Sequence, residues 1–283
     1  MDQSEQVSPS WGSLSVEQYL LTKWDSTSAL LIDHQRDQLL RAFIQEDDIS
    51  AFDSSTLVDI TSTETQKLIE SVLVTWRSQK LRRIAEKYHP RNALFETLVV
   101  LRTYYGHRSD EKFRRVYDAV ESFEDANPGG DLFGETDDHW WRILDDASLF
   151  NMGSQEWESV YNVLPELATP DFRRNFGDED VACAIEEVSA VVDSREPEED
   201  NYEDAIAHVA VSGCWLLILD GEAFEEEEML LVFRDKKGNI VRQSSIKPDE
   251  VENIPHYIMR GSITESGYWR GAEVRSCAQC FHG

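Results

Sequence analysis

The order of its patterns constrains this chain most. Apolar residues recur at helical spacing up to Ala126, and strand-like runs come only after Ala205. Ser15-Val16-Glu17-Gln18 has capping-box spacing and opens a short helix with Tyr19, Leu20 and Trp24. A second helix is predicted over 28–45, where Leu39, Leu40, Phe43 and Ile44 form one stripe. Thr63 to Tyr88 reads as one long helix ended by His89-Pro90, Leu94 to Tyr105 as the next, closed by Gly106, and a fifth is capped by Asp110. No repeat near 34 or 40 residues links these segments, so a solenoid is not expected.

After Ala205 the pattern changes. His208 to Leu219, Met229 to Phe233 and Ile240 to Ile246 are β-branched or aliphatic runs, and Lys237-Gly238-Asn239 supplies a turn between the last two. A hairpin extended to a three-strand meander is predicted, with 254–263 as a candidate fourth strand. Helices first and strands last is the order of an α+β protein, not of alternating βαβ units. The expected fold class is α+β: an N-terminal helical bundle, then a helix and a small antiparallel β-meander. The expected domains are 1–130, helical, and 131–283, acidic α+β.

Charge separates the same two regions. The 283 residues carry 55 acids against 27 Lys and Arg, a net charge of −28. Residues 76–115 sum to +7 and residues 131–228 to −24. Such an acid excess repels phosphates, which excludes nucleic-acid binding by bulk charge. The basic and acidic stretches could face each other or face solvent. The start Met1-Asp2-Gln3-Ser4-Glu5 has no basic region leading into an apolar one, and the run Val209 to Leu219 is too short to span a bilayer. An intracellular, cytoplasmic protein without membrane association is therefore expected.

Several chemistries are disfavoured by missing signatures. The sequence has no phosphate-binding G-x-x-x-x-G-K-[ST] loop, no G-x-G-x-x-G, no H-E-x-x-H and no G-x-S-x-G. No cofactor is expected.

Three places remain as candidate sites. Asp137-Asp138-His139-Trp140-Trp141-Arg142 gathers carboxylates, an imidazole and two indoles. Asp138 could orient His139 as a general base, and Trp140 and Trp141 could wall off water in a cleft at the domain junction. Equally, one indole could plug the core while a carboxylate caps a helix. Cys277-Ala278-Gln279-Cys280-Phe281-His282 offers Cys277, Cys280 and His282 as zinc ligands, with Cys214, His208 or Cys183 to complete the set, but this is half of a normal structural site. Two free thiols on a terminal segment is the plainer reading. Glu225, Glu226, Glu227 and Glu228 lack the loop spacing of a calcium site and read as a solvated charge run.

The sequence points first to a non-catalytic interaction or regulatory module for a basic protein partner. Its partner-binding residues would be Trp140, Trp141 and Glu225 to Glu228, with Trp157, Tyr161, Tyr202 and Phe224 as further aromatic anchors among the acids. The alternatives are an enzyme or small-molecule binder at the His139/Trp140/Trp141 junction, and a zinc-stabilised C-terminal domain.

Overall fold

The computed structural model describes residues 11–46, 49–52, 58–87, 98–126, 141–153, 156–168, 214–234, 240–251, 253–254 and 273–274. Helices accompany a mixed sheet, so the α+β class holds. The chain divides into two compact units, Met1–Ala93 with Val160–Arg174, and Leu94–Ser159 with Asn175–Gly283.

The first unit contains α1 (Ser15–Lys23), α2 (Ile32–Gln45), α3 (Thr63–Leu68) and α4 (Gln79–Lys87), with no strand among its described residues. Leu20, Leu40, Phe43, Val72 and Leu73 are fully buried, and Tyr19 packs edge-on against Phe43 and Phe52 at 5.4 and 4.9 Å. The predicted single helix from Thr63 to Tyr88 is interrupted. Ser62 caps α3 through Thr65 N, and the helix then widens into a π-turn, Ile69–Leu73. The Ser71 and Thr75 hydroxyls bond back to the carbonyls of Lys67 and Ser71, a competition that loosens the helical ladder. Ser78 Oγ then accepts from Leu81 N and starts α4 afresh.

Glu17, Glu166, Arg77 and Arg82 form a buried charge cluster inside this unit, and the part-exposed Glu86 pairs with Arg82 at its edge. Glu17 Oε2 accepts from the amides of Gly12, Ser13 and Leu14 at 2.8, 3.1 and 3.3 Å. Its Oε1 accepts from Arg77 Nη2 (3.1 Å) and Arg82 Nε (2.9 Å), and Arg77 Nη1 also reaches Glu166. Burial alone would lower the Arg77 pKa. The Glu166 and Glu17 carboxylates beside it more than offset that and hold it above its ordinary value.

The second unit is built on a six-stranded sheet in the order β2-β1-β3-β4-β5-β6. The strands are β1 (Leu98–Arg102), β2 (Trp141–Leu144), β3 (Cys214–Leu219), β4 (Met229–Arg234), β5 (Ile240–Ile246) and β6 (Glu273–Val274). The predicted meander is present as β3, β4 and β5, all antiparallel, with Leu217 opposite Leu231 and Val232 opposite Gln243. The fourth strand is β6 on β5, and 255–263 of the segment expected there lies outside the described residues.

The helix predicted over Leu94 to Tyr105 is instead the site of β1, which runs parallel to both β2 and β3. Val99, Val100 and Leu101 are all buried, so the strand shows the continuous apolar run of a parallel strand covered on both faces. The α-helices among the unit's described residues are α5 (Ser109–Ala126), α6 (Ala147–Phe150) and α7 (Gly221–Glu226).

Candidate functional site

Register aligns five strand ends on one edge of the second unit's sheet. Leu101 pairs with Leu144, Arg102 with Leu219, Ile218 with Leu230, and Met229 with Ile246. The carboxyl ends of β1, β2, β3 and β5 thus lie beside the start of β4. From β1 the chain passes through α5 to β2 on one side, and later returns as β3 on the other. That makes the carboxyl end of β1 a topological switch point, the place where open sheets of this type leave a crevice for ligands.

The first half of α5 stands between two clefts along this edge. One, of about 500 Å³, lies between α5, α7 and the ends of β3 and β5. Val116, Leu219, Phe224 and Met229 give it an apolar lining and are nearly fully buried. Its rim carries Glu226, Glu227, Glu228 and Asp249 with Lys112, Arg115 and Lys247. Asp220 Oδ1 caps α7 by accepting from Ala223 N at 2.9 Å, and α7 ends at Glu227 in the left-handed conformation, φ 59°. Lys112 Nζ donates to Phe224 O and lies 3.8 Å from Glu227 Oε1, while Arg115 Nη1 is 3.5 Å from Glu227 Oε2.

The other cleft, of about 580 Å³, is lined by Arg102, Asp110, Glu111, Phe113, Arg114, Tyr117 and Asp145. Arg102, the last residue of β1, is buried. Its Nε donates to Tyr104 O (3.1 Å), Nη1 to Asp145 Oδ1 (3.3 Å), and Nη2 to Ser109 Oγ (2.7 Å) and to Asp110 Oδ1. The guanidinium carbon is 4.4 Å from the Tyr105 ring centroid and 4.8 Å from that of Phe113, close enough for cation–π attraction. The Tyr105 hydroxyl donates to Arg102 O at 3.2 Å, and burial followed by the nearby Asp145 carboxylate pushes its pKa up.

The sequence-predicted residues fall unevenly. Glu226, Glu227 and Glu228 line the first cleft, and Glu225 is exposed on the last turn of α7. Trp141 opens β2 and pairs with Leu98. Asp138, His139, Trp140, Cys277, Cys280 and His282 lie outside the described residues, as do Cys183, His208 and Tyr202. Trp157 and Phe224, expected as surface anchors, are core residues at 4% and 5% exposure. Helical and strand packing takes up their large apolar area, so acidic neighbours in sequence do not imply exposure.

Arg102 and Asp145 went unflagged by the sequence. The available signal was a charge closing the apolar run Leu98 to Leu101, since a cation at the end of a buried strand must find partners there. Among the described residues no His, Cys, Asp and Glu group is arranged to hold a metal ion, and no helix is long and apolar enough to cross a membrane. No family model matches this chain, and comparison with curated proteins and with solved structures gives no match.

Proposed function

We propose that the chain is a non-catalytic interaction module whose docking site is the cleft between α5 and α7. Its partner is a basic protein that presents an apolar side chain flanked by Lys or Arg. The cleft supports this reading because an apolar lining is surrounded by charge, the arrangement in which a buried anchor contributes most to binding. Acids outnumber cations on the rim, and two of the three cations, Lys112 and Arg115, are already engaged by Glu227. A cationic partner is thereby favoured in both encounter rate and orientation.

The test is titration of the full chain with a fluorescent peptide of alternating Leu and Arg, at increasing salt. Neutralising the rim with Glu226→Gln, Glu228→Gln and Asp249→Asn together is expected to weaken binding about tenfold or more. Glu64→Gln, Glu70→Gln and Asp59→Asn, three exposed acids of the first unit, supply a control with the same charge change. Equal losses from both triples would mean that bulk charge alone attracts the peptide, and the docking site would be rejected.

A further inference from the structure

Arg102 and Asp110 form an ion pair of very unequal burial, with side chains 3% and 89% exposed. The cation is held out of water at the switch point of the sheet, while the carboxylate opposite it stands in solvent. Arg102 does not depend on Asp110 to stay satisfied. Asp145, Ser109 and the Tyr104 carbonyl engage three of its other four N–H groups, one on each nitrogen, and the Tyr105 and Phe113 rings hold its plane. Asp110 can therefore leave, regaining its full hydration, without stranding a buried charge.

We propose that the cleft between α5 and the end of β2 binds a small aromatic monocarboxylate, and that Asp110 is an internal stand-in displaced when the ligand's carboxylate takes the Nη2 edge of Arg102. The position Asp110 fills already has the geometry of a guanidinium–carboxylate bond. Charge fixes the valence of the ligand. With Asp110 in place the cleft holds three carboxylates, Asp110, Glu111 and Asp145, against Arg102 and Arg114, and exchanging one carboxylate for another leaves that balance unchanged. A dianionic phosphate would add an uncompensated charge. The body of the ligand lies along Phe113 and the part-exposed ring of Tyr117, whose centroids are 6.4 Å apart, in a volume suited to a small molecule.

This site is separate from the α5–α7 cleft, so phenylacetate binding and peptide binding can fail independently. The experiment is a calorimetric titration of the full chain with phenylacetate and, as neutral isostere, phenylacetamide. Asp110→Asn removes the competing carboxylate and is expected to tighten phenylacetate about tenfold, as follows if the stand-in closes the site about nine-tenths of the time. Phenylacetamide is expected to gain nothing. Glu111→Gln makes the same charge change on the same cleft without opening Arg102 and is expected to tighten phenylacetate much less than Asp110→Asn does. Tyr117→Ala, on the solvent side of the cleft, is expected to weaken phenylacetate in the Asp110→Asn background. The proposal is overturned if Asp110→Asn does not tighten phenylacetate, if Glu111→Gln tightens it equally, or if phenylacetamide shares the gain.

Discussion

Arg77 donates through Nη1 to both carboxylate oxygens of Glu166, at 2.9 and 3.1 Å, across 89 positions of sequence. With Glu17 and Arg82 it forms a cluster in which no side chain is more than 5% exposed. Such a cluster is stable only when whole, because removing one member strands a buried charge at about 3–5 kcal/mol. Glu17 takes three amides and both guanidiniums, whereas Glu166 takes Arg77. Glu17→Gln is therefore expected to lower the urea midpoint more than Glu166→Gln. Replacing Arg77 and Glu166 together by Met and Leu is expected to recover much of the single-variant loss.

Alkaline stability is expected to depend on Tyr19. Burial first, and then its hydrogen bond to Glu46, raises the Tyr19 pKa from 10.0 to about 12. Between those values the folded state retains a proton that the unfolded chain has released. The associated stability is complete below about pH 10 and is lost as pH rises towards 12. Denaturant unfolding at pH 8 and pH 11 should show a drop that is smaller in Tyr19→Phe. A drop of equal size in that variant would assign it to other groups, Tyr105 among them.

The meander was legible because β3, β4 and β5 are short apolar or β-branched runs set off by turn residues, Asp220-Gly221 after the first and Lys237-Gly238-Asn239 between the last two. β1 was not, because its run Leu98 to Leu101 follows Leu94 and Phe95 with no Gly or Pro between them, and an apolar run without alternation and without such a boundary reads equally as a buried helix. For the site, the run Glu225 to Glu228 could be read as charge. Its meeting with Lys112 and Arg115 could not, since the pairing depends on α5 lying over the end of β3. The basic and acidic stretches do answer each other in part. Arg77 meets Glu166 inside the first unit, and Lys112 and Arg115 meet Glu227 inside the second.

Ser78 is where the interrupted helix restarts, and its hydroxyl satisfies an amide of the first turn of α4. Ser78→Ala is expected to reduce stability by about 1 kcal/mol, the usual size of a lost N-cap. Ser78→Asp, which caps equally well and suits the helix dipole, is expected to retain it. Thermal unfolding of the two variants checks this, and equal losses would show that the bond contributes nothing.

Glu227 joins backbone strain to the rim of the docking cleft. It ends α7 with φ 59°, a conformation that disfavours side chains with a Cβ by about 1 kcal/mol and favours glycine. Its ion pairs with Lys112 and Arg115 are largely exposed and contribute little to stability. Glu227→Gly and Glu227→Ala lose the same ion pairs, but only glycine relieves the strain, so the glycine variant is expected to be the more stable by about 1 kcal/mol. Both variants also leave Lys112 and Arg115 uncovered on the rim, and both are expected to bind the Leu-Arg peptide more weakly than the parent. A glycine variant that is more stable yet binds the peptide as well as the parent would separate the strain from recognition, and would show that rim charge does not select the partner.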